Sequence, residues 1–201
     1  MKKYFVLVLV LLIFAFVVLG CGSGNVDSTT TTKNNNSNST QAVNSSVITG
    51  TTGTMINNQS FNETRAVSVT VLGTKDRTTE TITLKGLNTT GATSALVGAR
   101  VYDTTTKTLI ASKNATVAAG NDLSVTINLI TTLTAGKTYT IGFYVQTNPL
   151  SKGSGNFYLP DSSPYTEDTG IFQINSASIT ASDSYPESAN QYVPQLIIRT
   201  H

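Results

Sequence analysis

From about residue 46 onward the apolar residues of this chain fall on alternate positions, and no long run repeats every 3.6 residues. Leu123, Val125, Ile127 and Leu129 alternate with Ser124, Thr126 and Asn128, which on a strand turns one face to a core and the other to water. Tyr139, Ile141, Phe143 and Val145 repeat the pattern after the turn Ala135-Gly136-Lys137. Shorter alternation predicts strands at Val67 to Val71, at Ile82 and Leu84, and from Leu96 to Asp103. Thr104 to Lys107 reads as a hairpin turn into Thr108 to Ser112, and Ala119 to Asp122 as a turn into the Leu123 strand. Later candidates are Asn156 to Leu159, Gly170 to Ile174, Ala177 to Thr180 and Gln195 to Arg199. Many short strands separated by Gly, Asn, Asp and Thr turns predict an all-β, antiparallel two-sheet sandwich.

The beginning of the chain follows another pattern. Met1-Lys2-Lys3 is basic, and Tyr4 to Leu19 is apolar and uncharged, the layout of an export signal. The run is shorter than the roughly 20 residues a membrane-crossing helix needs, and it stops at Gly20-Cys21. Val18-Leu19-Gly20-Cys21 resembles the lipobox of bacterial lipoproteins, with Leu19 larger than the residue usual at that place. The resemblance implies cleavage before Cys21 and acylation of both its thiol and its new amino group. More than one acyl chain would hold the protein stably at a membrane. Cys21 is the only cysteine, so acylation would also exclude disulfides, thiol nucleophiles and cysteine metal sites.

Between Gly22 and about Ser45 the sequence is Ser-, Thr- and Asn-rich with no aromatic residue, too polar to offset the entropy of ordering. The expected organisation is a signal peptide over 1–20, a lipidated Cys21 with a disordered tether over 21–45, and a β-sandwich domain over 46–201.

Charge changes the functional picture mainly by exclusion. The 13 basic residues fall to 11 once Lys2 and Lys3 leave with the signal, matching the 11 acidic ones. No basic cluster remains to follow a phosphate backbone, so nucleic acid is not an expected partner. Charged residues are only 12% of the chain, about half the usual share, and hydroxyl and amide side chains replace them.

Two local resemblances bear on the domain. Leu133-Thr134-Ala135-Gly136-Lys137-Thr138-Tyr139 resembles the Leu-x-x-Gly-x-x-Tyr segment of fibronectin type III domains, which implies a tyrosine corner in which the Tyr139 hydroxyl meets nearby backbone. The span from Val97-Gly98-Ala99-Arg100-Val101-Tyr102-Asp103 through Lys107-Thr108-Leu109-Ile110-Ala111 to Val145 is similar to bacterial secreted jelly-roll modules of unknown function. The domain is about half as long again as a fibronectin module, so a jelly-roll-like sandwich is the expectation. Those modules often carry a central Trp, and this chain has none.

Candidate chemistry gathers late in the domain. Asp161, Glu167, Asp168, Asp183 and Glu187 lie in a stretch without Lys or Arg between Lys152 and Arg199. Asp161, Glu167 and Asp168 are candidate ligands for a structural Ca²⁺, which takes 6 to 8 oxygens, although no EF-hand spacing is present; the alternative is a set of solvated loop acids. Tyr158, Tyr165, Tyr185 and Tyr192 lie in the same region, beside Pro160, Pro164, Pro186 and Pro194. They either stack on sugar rings or cap the core. Arg100 and Tyr102 share the strand face opposite Val97, Ala99 and Val101, and read either as a solvated face or as a binding face.

The sole imidazole is His201, at a terminus expected to fray, which removes a Ser-His-Asp triad and a His-ligated zinc. A carboxylate pair such as Glu167 and Glu187 is the remote route to a glycoside hydrolase. The sequence therefore predicts a non-catalytic, lipid-anchored module at the outer membrane or cell surface, binding a glycan or envelope polymer, or alternatively presenting its sandwich to an envelope protein.

Overall fold

The computed structural model describes residues 45–49, 54–59, 62–148, 154–159 and 167–201. Alternating apolar residues close two antiparallel sheets over one core, as the sequence predicts, and no helix occurs among the described residues. In chain order the strands are β1 (Ser45–Ile48), β2 (Thr54–Gln59), β3 (Glu63–Val71), β4 (Arg77–Leu87) and β5 (Ser94–Asp103). Then come β6 (Leu109–Ala118), β7 (Leu123–Leu133), β8 (Thr138–Asn148), β9 (Ser154–Leu159) and β10 (Glu167–Asp168). The last are β11 (Phe172–Thr180), β12 (Ser188–Asn190), β13 (Val193–Pro194) and β14 (Leu196–Thr200).

One sheet has the order β1-β14-β4-β7, and the other β10-β11-β3-β8-β5-β6, with β12 pairing β11; a small third sheet runs β13-β9-β2. From β3 to β8 every connection crosses between the two large sheets except the β5–β6 hairpin. The chain is thus threaded through both layers, and each layer needs strands distant in sequence.

The core lies between the large sheets. Ile82, Leu84, Val125, Ile127, Leu196 and Ile198 come from one side and Val67, Val69, Val97, Val101, Ile141 and Phe172 from the other, all buried. Burial of this apolar surface is the main stabilising contribution, at about 25 cal/mol per Å².

Two segments read as separate strands, Gly170 to Ile174 and Ala177 to Thr180, form the single strand β11. The register against β3 slips between Ile174 and Ser176, so the alternation changes phase at a β-bulge and looks like a break in the sequence. Asn175 at the slip donates from Nδ2 to Thr70 Oγ1 at 2.9 Å. The first strand begins at Ser45, one residue before the expected domain start.

The corner between β7 and β8 forms as expected: the Thr134 N–H donates to the Tyr139 hydroxyl at 2.9 Å, and Gly136 takes φ +75° in the intervening turn. Between β5 and β6, Asp103 Oδ1 accepts the N–H groups of Thr105 and Thr106, both at 2.9 Å. These two bonds build the turn locally and hold the Asp103 carboxyl below its ordinary pKa.

The carboxyl terminus does not fray. The His201 N–H donates to Thr78 O and the Thr78 N–H to His201 O, each at 3.0 Å, because β14 sits inside its sheet between β1 and β4. The imidazole Nδ1 lies 3.1 Å from Glu80 Oε1, and Arg199 Nε lies 2.9 Å from the other oxygen of that carboxylate.

Candidate binding face on the seven-stranded sheet

Alternation on β5 sends Ala95, Val97, Ala99 and Val101 into the core and leaves Ser94, Leu96, Gly98, Arg100 and Tyr102 on the sheet's outer face. That face is not solvated around Arg100 and Tyr102, which are only 3% and 4% exposed. The expectation of a solvated pair is corrected here, and the physical reason is a covering segment some 80 residues downstream. After β11 the chain over 181–187 lies across the outer face as a strap.

The strap is fastened to several strands. Thr64 Oγ1 on β3 donates to Ser182 O at 2.7 Å. Arg100 Nε and Nη2 on β5 donate to Asp183 Oδ1 and Oδ2 at 2.8 and 2.6 Å, a two-pronged pairing that suits the planar guanidinium. Thr140 Oγ1 on β8 lies 3.3 Å from the Tyr185 hydroxyl. The Tyr185 ring meets the Tyr102 ring edge to face, with centroids 5.5 Å apart at 88°. Beyond it, Lys107 Nζ bonds Glu187 Oε1 at 2.9 Å, which pushes the exposed ammonium's pKa up, and stands 5.7 Å from the Tyr185 centroid.

Arg100 needs space that a single glycine supplies. A Cβ on Gly98 would collide with Arg100 Nη1 and Asn114 Oδ1, so the guanidinium lies over Gly98 in place of a side chain. There Nη1 donates to Ala99 O at 3.0 Å and to Asn114 Oδ1 at 2.8 Å, with the guanidinium carbon 6.0 Å from the Tyr144 centroid. Asn114 belongs to β6, directly across from Gly98 in the register. Tyr102 beside it has its phenol pKa pushed up, mainly by burial and then by the Asp183 charge, against a smaller opposite effect of Arg100.

Two open depressions mark this face. One of about 560 Å³ is bordered by Arg100, Tyr102, Lys107, Leu109, Ser112, Lys113, Asn114, Asp183 and Ser184. The other, of about 390 Å³, is bordered by Ser94, Leu96, Thr116, Gln146, Thr147 and Asn148. Leu96 and Arg100 are four residues apart on β5, about 13 Å at strand rise, so the depressions follow one another along the strand. Their borders are chiefly hydroxyl, amide and charged groups.

The sequence-predicted residues fall as follows. Asp183 and Glu187 from the acidic stretch pair with Arg100 and Lys107. Tyr185 is half-buried against Tyr102, and half-buried Tyr192 has its backbone N–H on Asn190 Oδ1 at 3.0 Å. Tyr158 lies on β9 and Glu167 and Asp168 on β10; their side chains, and the whole of Asp161, Tyr165 and Cys21, lie outside the described residues. No group of His, Cys, Asp and Glu suited to a metal occurs among the described residues.

Sequence reasoning did not single out Gly98, Ser112, Lys113 or Asn114. The available signal was a glycine two places before an arginine in a strand otherwise rich in Val and Ala, the mark of a close approach. Compared with known proteins, the chain matches no family model and no curated protein.

Proposed function

We propose that this chain is a non-catalytic binding module, exported and held at a cell-envelope membrane by lipid on Cys21, whose sandwich binds a glycan or envelope polymer. The outer face of the seven-stranded sheet is the binding surface in this reading, in place of the late loops alone. The observation that carries it is the pair of depressions along β5, bordered by Ser94, Thr116, Gln146 and Asn148 at one end and Ser112, Asn114 and Tyr102 at the other. Hydroxyl and amide groups arranged in a row suit a chain of sugar rings, whose hydroxyls both donate and accept. Leu96 and the half-buried Tyr144 add apolar surface for ring faces.

Affinity electrophoresis of the full chain in gels containing the host's purified envelope polysaccharides tests the reading. Retardation that Leu96→Asp and Gln146→Ala reduce is the expected result; unretarded migration with every polymer contradicts it. Mass spectrometry of the mature amino terminus tests the anchor, with acylated Cys21 as its first residue expected and an unmodified Cys21 contradicting it.

A protein partner is the second reading, supported by Leu109 and Ile110 at 49% and 42% exposure on the edge strand β6 and Ile130 at 77% on the edge strand β7. Lys113 works against pairing along the β6 edge, because it lies on the same strand face as Ala111, Ala115 and Val117, which pack on the core. A charge on the core-side face of an edge strand blunts strand addition. Crosslinking in intact cells is expected to give a defined protein adduct under this reading, and recovery of the monomer alone contradicts it.

A further inference from the structure

We propose that the depression at the Leu96 end of β5 is a subsite for an acetamido sugar, a hexosamine with its nitrogen acetylated. The proposal rests on the carbohydrate reading above and names the sugar class that this end takes. Register places the side chains. Thr116, Leu96 and Gln146 stand in one row across β6, β5 and β8, and Ser94 and Asn148 in the next. Residues paired across an antiparallel ladder share a face, so all five lie on the outer face with Leu96.

No charged side chain borders this depression, so nothing in it favours an ionised ligand group. The Gln146 and Asn148 carboxamides bond no other described residue, and each offers two N–H donors and an acceptor oxygen.

A sugar hydroxyl donates and accepts at one atom, so a single carboxamide serves it. A secondary amide is different, because its trans geometry points the N–H and the C=O in opposite directions. It needs an acceptor on one side and a donor on the other. Gln146 and Asn148 are two residues apart on one face of β8, about 7 Å at strand rise. That is close to the span of an amide with a hydrogen bond of about 2.9 Å on each side. Leu96, half-buried and directly opposite Gln146, receives the acetyl methyl group, whose burial adds to the preference. Thr116 and Ser94 remain for the ring hydroxyls.

The test is isothermal titration of the full chain in detergent with chitotetraose, cellotetraose and the blocked amino acid N-acetylalanine methylamide. The two tetramers share linkage and shape and differ in carrying acetamido groups or hydroxyls. Chitotetraose is expected to bind about tenfold more tightly, with a preference that added salt leaves unchanged, since no ion pair carries it. The preference is expected to disappear in Gln146→Ala and Asn148→Ala and to shrink in Leu96→Ala, with circular dichroism confirming that all three variants fold. Equal binding of the two tetramers overturns the acetamido subsite while the carbohydrate reading stands. Binding of neither tetramer by a chain that envelope polysaccharides still retard overturns the subsite alone; without that retardation both readings fall. A preference retained by all three variants overturns the placement at Leu96. N-acetylalanine methylamide binding as tightly as chitotetraose overturns the saccharide in favour of a peptide.

Discussion

Strands β7 and β5 share an apolar face against the core but differ on their other face. On β7, Val125, Ile127 and Leu129 are buried and Ser124, Thr126 and Asn128 are exposed. On β5 the core side is buried and so are Gly98, Arg100 and Tyr102 on the outer side. The backbone physics is identical, with period-two alternation deciding which side chains meet the core. What differs is a distant segment: the strap over 181–187 covers β5 and reaches β8 beside it and β3 beyond. A strand pattern therefore reports one packing partner and is silent about a second.

The largest effect should come from removing the anion that makes burial of Arg100 tolerable. Asp183→Ala leaves a guanidinium that is 4% exposed without its carboxylate. Allowing for rotation of the arginine toward water, the expected loss is about 2–3 kcal/mol, read as a lower urea midpoint. Glu187→Ala breaks the exposed pair with Lys107 and is expected to leave that midpoint unchanged, since solvent screens both partners. Equal losses in the two variants would mean that the strap's anions act only as surface charges.

A smaller loss is expected from Gly98→Ala, which places a methyl group in the seat of the guanidinium. Overpacking of this kind costs about 1–2 kcal/mol, and it should be partly relieved in the double variant Gly98→Ala/Arg100→Ala. Additive losses in that double-mutant cycle would break the link between the glycine and the arginine.

Alkaline pH separates the two faces next. The folded pKa of Tyr102 is raised, so its contribution is complete below its unfolded value near 10 and is lost as pH rises beyond it. Thermal unfolding followed above pH 10 is expected to show a decline that Tyr102→Phe blunts. On the exposed face of β7, Thr126→Ala removes only the 2.8 Å contact with Thr83 Oγ1. It is expected to change stability by at most about 0.5 kcal/mol, the smallest effect of the series.

The sheets themselves were legible because their strands carry dense local alternation; Leu123 to Leu129 and Tyr139 to Val145 make up most of β7 and β8. The strand β2 was hidden, since Thr54–Gln59 carries four polar residues and its pairing with β9 is long-range. β11 was divided by a bulge that shifts the phase of its pattern. The candidate face was legible only in fragments. Arg100 and Tyr102 were placed on one side of a strand, and Asp183, Glu187 and Tyr185 were noted as a separate late cluster lacking nearby cations. Their cations come from β5 and the turn before β6, and no local pattern records a pairing across 83 residues.

The contrast between the faces also bears on function, because two depressions follow β5 on the strapped sheet. The most direct test is backbone NMR of the full chain in detergent, titrated with the envelope polysaccharide fragment that it retains best. Shifts concentrated at Leu96, Tyr102, Ser112, Asn114, Thr116 and Gln146 are predicted; shifts confined to Ser124, Thr126, Asn128 and Ile130 on the opposite sheet would contradict the account.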